Sequence, residues 1–218
     1  MGISYSSKSL VFSAAIACLG FCQVAFAQND FHHLTIYGGG GYTSVTGSVS
    51  SRLDGGGNFQ VGAGYKFNPI FSINGTFNFD QLGITRRALN EANEPDGNAR
   101  VYTFTVDPKI TVPLGKGFSA YVLAGGGWLR RTVEYTQPTL AATYLFDPWF
   151  GYYGPVYIPA NQVLGSFSQN AGVWDAGGGI NVPLPRTGLK LYVEARYYEG
   201  LTNNTHTTVV PFTVGLRW

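Results

Sequence analysis

The chain has 218 residues, of which 12% are charged, 15% are aromatic and 30 are glycine, and its formal net charge is +2. That near-balance, with no run of lysine or arginine, excludes the electrostatic footprint of a nucleic-acid-binding protein, and the composition favours strands. Helical periodicity is missing throughout: the best helical candidate, ALNEANE at 88–94, is short and uncapped.

The first 27 residues have the three regions of a secretory signal: Lys8 near the start, the apolar run LVFSAAIACLGF, and the small-residue site Ala25-Phe26-Ala27. Cleavage after Ala27 divides the chain into a signal peptide, 1–27, and one domain, 28–218. The apolar run is too short, and too broken by Ser13, Gly20 and Gln23, for a membrane-spanning helix, and Ala15-Ile16-Ala17 before Cys18 is a weak lipoprotein site. Cys18 and Cys22 both fall in the signal, so the domain is held by its backbone ladder and packing without disulfides.

From there apolar and polar residues alternate in segments of roughly ten, the length a tilted strand needs to cross a bilayer. The segments lie near 33–45, 58–67, 71–80, 100–112, 118–130, 171–182, 189–198 and 208–218. Their connections alternate as well: NPI at 68–70, PLGKG at 113–117 and PLPRTG at 183–188 are tight, whereas 46–57, 81–99, 131–170 and 199–207 are longer. Short turns at one end and long loops at the other predict an all-β fold, a closed eight-stranded antiparallel up-and-down transmembrane β-barrel. The turn at 68–70 sets Phe67 against Phe71 and keeps Phe59, Val61, Ala63 and Tyr65 on one face with Ile73 and Phe77. Across 183–188, Val182 facing Leu189 would set Asp175 opposite Arg196 and Gly177 opposite Glu194.

The polar set on each strand decides which face is inside. It comprises Ser72, Asn74, Thr76 and Asn78; then Thr103, Thr105, Asp107 and Lys109; then Lys190, Tyr192, Glu194, Arg196 and Tyr198. Sparse charges of both signs among small polar residues fit a narrow polar interior, whereas a solvated exterior carries more lysine and glutamate. Asp107, Lys109, Asp175, Glu194 and Arg196 are therefore the candidate interior network, plugged further by Tyr121 and Tyr192. The opposite set on the seventh strand, Leu189, Leu191, Val193, Ala195 and Tyr197, carries no charge. Tyr42, Trp128, Trp174, Tyr197 and Trp218 stand toward strand ends, where amphipathic rings settle at the headgroup level of a lipid bilayer.

The final stretch, VVPFTVGLRW, is apolar at Val210, Phe212, Val214, Leu216 and Trp218. Pairing with the first strand would close the barrel and remove both edges. Together with LTIYGGGGYTSV, FTVDPKITVPL, YVLAGGGW and LYVEARYY, this stretch resembles the eight-stranded outer-membrane β-barrel family, the OmpA-type transmembrane domain and its small relatives. The resemblance covers essentially all of 28–218 and does not extend to the peptidoglycan-binding domain of longer members. It implies the outer membrane of a Gram-negative-type cell, lipid as a partner, and a barrel-assembly machinery that reads a terminal aromatic signal at Phe212 and Trp218.

Catalytic or metal chemistry is thinly represented. The glycine clusters at 38–41, 125–127 and 177–179 lack the Lys-Ser/Thr of a phosphate loop and fit relief of crowding in a tight barrel. His32 and His33 would point to opposite faces of a strand, so no metal or other cofactor is implied. A hydrolase could draw on His206, Glu199 and Ser166 or Ser168, but nothing in the sequence fixes them relative to one another. The least generic segment is 131–170, with DPWFGYYGP at its centre and Trp149, Phe150, Tyr152 and Tyr153 as a candidate surface for an extracellular partner. The leading expectation is thus a non-enzymatic outer-membrane barrel, envelope-structural or binding through its surface loops. A lipid-modifying or proteolytic barrel and a soluble ligand-binding barrel are the alternatives.

Overall fold

The computed structural model describes residues 33–149, 151–201 and 206–218. The predicted signal peptide, His32 and Phe150 lie outside the described residues. Thr35–Trp218 forms one compact unit; of the preceding unit, Met1–Leu34, only the last two residues are described.

Eight strands, β1 (Leu34–Thr46), β2 (Leu53–Lys66), β3 (Phe71–Ile84), β4 (Asp96–Gly115), β5 (Phe118–Asp147), β6 (Tyr152–Pro183), β7 (Lys190–Leu201) and β8 (Thr207–Arg217), close into a barrel in chain order. β8 pairs antiparallel with β1 from Tyr37–Arg217 to Thr46–Thr208, and Trp218 exchanges backbone hydrogen bonds of 2.9 and 3.1 Å with Ile36. Closure leaves the barrel wall without an edge within the membrane, so backbone donors and acceptors are satisfied where no water can reach them. It also needs close approach: at Gly39, which faces Gly215, a Cβ would stand 2.6 Å from the carbonyl oxygen of Val214 and 2.7 Å from the hydroxyl of Tyr192.

Strand parity places polar residues inside and apolar residues outside. Ser72, Asn74, Thr76, Asn78, Thr103, Thr105, Asp107 and Lys109 are buried, while Phe59, Val61, Tyr65, Ile73, Phe77, Phe104, Val106 and Ile110 are exposed. This is the reverse of a soluble ligand-binding barrel and fits a wall solvated by lipid. Toward the long-loop end the belt finishes in a girdle of Tyr42, Phe59, Phe79, Tyr102, Trp128, Trp174 and Tyr197, with ring centroids 5.1 Å apart for Phe79–Tyr102 and 5.4 Å for Trp174–Tyr197.

Three expectations require correction. The segment 131–170 is mostly strand: β5 and β6 continue as a hairpin joined at 148–151. β4 last pairs with β5 at Asp96–Thr136 and β7 last pairs with β6 at Gly172–Leu201, so the far part of the hairpin is a two-stranded ribbon. Beyond the last β4 pair it adds eleven residue pairs, from Gln137–Gln162 to Asp147–Tyr152, or about 37 Å at ~3.4 Å per residue. No alternation marks it because neither face meets lipid or a lumen.

The helix, α1, spans Arg86–Ala92 and is capped: the Thr85 hydroxyl accepts from the backbone N–H of Ala88 at 3.3 Å, and Asn93 closes the helix in the left-handed region at φ 57°. The β6–β7 register is also two residues tighter than the count across 183–188 implies. Val182 faces Leu191, Leu184 N–H donates to the Leu189 carbonyl at 2.9 Å, and only 185–188 turn, with Arg186 and Gly188 at φ 68° and 70°. Asp175 therefore faces Tyr198, Gly177 faces Arg196 and Gly179 faces Glu194. A shift of two preserves every side chain's face.

Candidate functional site: a layered lumen

At mid-height the lumen is filled by a charge network centred on Arg196 of β7. Its Nη1 lies 2.7 Å from Asp107 Oδ2 of β4 and 3.4 Å from Asp175 Oδ2 of β6, and its Nε lies 2.6 Å from Glu194 Oε1. All four side chains are 0–1% exposed. Neighbouring donors add to the pairing: Thr76 and Thr105 each donate to Asp107 Oδ2 at 3.1 Å, Gln60 donates to Glu194 at 2.8 Å and Tyr121 at 2.7 Å. Arg217 of β8 approaches Glu194 Oε2 to 3.8 Å and lies over the rings of Tyr37, Tyr121 and Tyr192 at 4.8–4.9 Å. Tyr37 and the Thr76 hydroxyl share a 2.6 Å hydrogen bond, so every strand contributes to the cross-link. A buried guanidinium facing carboxylates needs such close pairing and added hydrogen bonds to offset its desolvation.

The sequence-predicted interior residues meet here with one difference. Asp107, Asp175, Glu194 and Arg196 form the network, whereas Lys109 lies beside it with Nζ 4.9 Å from the centroid of the Tyr121 ring. Thr76, already in the predicted inward polar set, completes the network with Gln60, Tyr37 and Arg217, which that set does not include although they share the inward parity of their strands. A second buried polar group joins Asp80 with Thr43 and Asn78, and Thr43 with Asn58. Gly177 makes room for the hub: a Cβ there would stand 2.8 Å from Arg196 Cγ.

The expectation of a polar interior fails at the long-loop end. There Val49, Leu53, Leu82, Ile84, Leu89 of α1, Ala99, Val101, Leu129, Val173, Tyr198 and Val209 form one apolar core across the lumen. The cause is a reversal at the aromatic girdle. Below it β5 turns Val122 and Trp128 outward; above it Arg130 lies outside while Leu129 points in. At the short-turn end the lumen opens into a cavity of about 320 Å³ lined by Lys66, Lys109, Lys190 and Arg217 together with neutral polar and apolar residues such as Ile70 and Phe71.

His206 Nδ1 lies 3.2 Å from Glu199, but the Ser168 hydroxyl is engaged with Thr132 at 2.9 Å and Arg130 at 3.4 Å. Among the described residues no cluster of three or more His, Cys, Asp or Glu could hold a metal. On the ribbon, Trp149, Tyr152 and Tyr153 are exposed, Trp149 at 90%, and the Phe146 and Tyr153 rings lie 5.2 Å apart. Phe212 projects outward within the belt and Trp218 stands at its short-turn edge.

A family model described as the outer membrane protein beta-barrel domain matches residues 13–217. The chain belongs to this family. It is therefore an outer-membrane barrel of a Gram-negative-type cell, with its short turns in the periplasm and its long loops and ribbon outside. A search among curated proteins finds no match. Among solved structures, Neisserial surface protein A is 12% identical over 84% of this chain and 95% of its own, with a TM-score of 0.54. A major outer membrane protein from Thermus thermophilus is 13% identical over 85% and 98%, with a TM-score of 0.52. Ail, the attachment invasion locus protein of Yersinia pestis, solved in complex with the heparin analogue sucrose octasulfate, is 17% identical over 85% and 99%, with a TM-score of 0.49. At these identities the likeness is one of fold.

Proposed function

We propose that this outer-membrane barrel is non-enzymatic and non-conducting, and that it serves as a rigid base from which the β5–β6 ribbon engages an extracellular partner. The observation that carries this reading is the ribbon's composition and reach. Between Tyr135 and Trp174 the only charged residue is Asp147, and Tyr144, Phe146, Trp149, Tyr152, Tyr153 and Phe167 are exposed along it. Large rigid aromatics supply contact area at little cost in conformational entropy, and charge is depleted where interfaces are buried. Outside the membrane, an aromatic surface of this size is a liability unless something covers it part of the time. Phe212 and Trp218 are the proposed assembly signal.

Removal of 138–161, with a Gly-containing two-residue turn joining the strands, tests the reading. Cells carrying wild-type protein should be retained on immobilised protein or glycan surfaces, and cells with equal amounts of heat-modifiable, ribbon-deleted barrel should not. Equal retention of both would refute it.

A further inference from the structure

We propose that the periplasmic mouth of the barrel is a binding site for a compact oxyanion, inorganic phosphate or a phosphate ester. The cavity there holds about 320 Å³, room for about ten waters at ~30 Å³ each, ample for a phosphate and its hydration. Its walls carry four cationic side chains, Lys66, Lys109, Lys190 and Arg217, and no acidic side chain. They come from β2, β4, β7 and β8, so the positive charge surrounds the space instead of lying along one edge. Trp218 also lines the cavity.

The base of the cavity is the decisive part. Arg217 is 4% exposed and is held in place by Asn181, which accepts from its Nη1 at 2.8 Å, and by the three tyrosine rings. Its Nε and Nη2 have no hydrogen-bond partner among the described residues. Glu194 stands 3.8 Å from Nη2 and is already engaged by Arg196, Gln60 and Tyr121. The guanidinium is therefore under-compensated, and its field acts on the cavity through low-dielectric surroundings that strengthen it. Lysines gathered around an enclosed space repel one another, and a multiply charged anion removes that repulsion more effectively than chloride. Ser72, Ser119 and Asn181 add neutral donors at the wall. The turns on this side, 67–70, 113–117 and 184–189, contribute Lys116 and Arg186 and no carboxylate, so an anion entering from the periplasm meets no opposing side-chain charge on the turns.

The same chemistry could come from free phosphate or from the phosphate of a lipid in the periplasmic leaflet. The test is a titration of inorganic phosphate into the full barrel, folded in a phosphate-free maltoside detergent at constant ionic strength, with chloride as the comparison. The Trp218 indole N–H resonance, at the cavity wall, is the readout. Phosphate should shift it saturably and chloride should not. A Lys66→Met/Lys190→Met double variant that retains heat-modifiable mobility should bind about tenfold more weakly or worse, while Arg186→Met, on the turn but not in the cavity wall, should bind as wild type. Repeating the titration in phospholipid nanodiscs separates the sources: a persistent response assigns the site to free anion, and a lost response assigns it to lipid phosphate. A response that does not saturate, that chloride reproduces, or that the double variant leaves unchanged overturns the proposal.

Discussion

Replacing Arg196 with methionine keeps most of the aliphatic stem and removes the charge to which Asp107, Asp175 and Glu194 are all directed. Side chains that are 0–1% exposed have no water to take over, and removing one partner from a buried ion pair costs about 3–5 kcal/mol. The variant should fall within that range and not above it. Asp107 keeps the Thr76 and Thr105 hydroxyls at 3.1 Å, and Glu194 keeps Gln60 and Tyr121 at 2.8 and 2.7 Å. Asp175 is left worst off, since its Oδ1 already lacks a partner. Adding Asp175→Asn should therefore recover part of the loss, about 1–2 kcal/mol, as a coupling between directly interacting groups. Arg87→Met is the comparison: its pair with Glu91 is 80% and 58% exposed, and the change should cost about 0.5 kcal/mol or less. Urea unfolding of barrel refolded into vesicles, followed by tryptophan fluorescence and gel mobility without boiling, gives all three costs relative to wild type. A cost under about 1 kcal/mol for Arg196→Met, as for a solvent-screened pair, would mean that water fills the mid-lumen and would refute the dry-plug argument.

Reconstituted into a planar bilayer, the barrel should show no large stable conductance, because the apolar core and the Arg196 network each close the lumen; porin-like steps would contradict this. Leu82→Ala, in the extracellular core at 1% exposure, should destabilise the barrel by about 2–5 kcal/mol in the same urea assay, and a negligible cost would mean that the core is loosely packed. Deleting Trp218 should leave export intact and lower the folded barrel recovered from outer-membrane fractions, and normal folded levels would remove its proposed role as an assembly signal.

Within the membrane the fold was legible because lipid outside and a polar lumen inside impose one strict period of two. Parity alone put Asp107, Glu194 and Arg196 on the inward face, and the even slip of the β6–β7 register left that assignment intact. The same slip explains what could not be read. Arg196 was expected across from Asp175, yet it faces Gly177, and it still reaches Asp175 at 3.4 Å because a guanidinium spans a diagonal between strands. The length of the 183–188 connection did not reveal how much of it pairs. Above the girdle the alternation changes phase. Val101-Tyr102, Trp128-Leu129 and Val173-Trp174 are adjacent apolar pairs where one residue belongs to the lumen and the next to the aromatic girdle. The predicted strands end one or two residues past these pairs, at 100, 130 and 171, and the observed ones continue. Thr85 is not legible as a cap in the sequence because α1 is too short to show a period.

That phase change also states where each half of the barrel finds its stability. Below the girdle the outer wall is covered by lipid, so the interior is built from polar groups that pair across the lumen, most of them through the Arg196 network. Above it water replaces lipid, and Gln81, Arg100, Arg130 and Glu199 take the outward positions next to inward Leu82, Val101, Leu129 and Tyr198. A barrel wall in water must bury its apolar surface internally, as a soluble barrel does. The extracellular end consequently carries its own hydrophobic core, sealed by Val49 and by Leu89 of α1. A ribbon rooted in that core stands on a packed base, although no lipid supports its own faces.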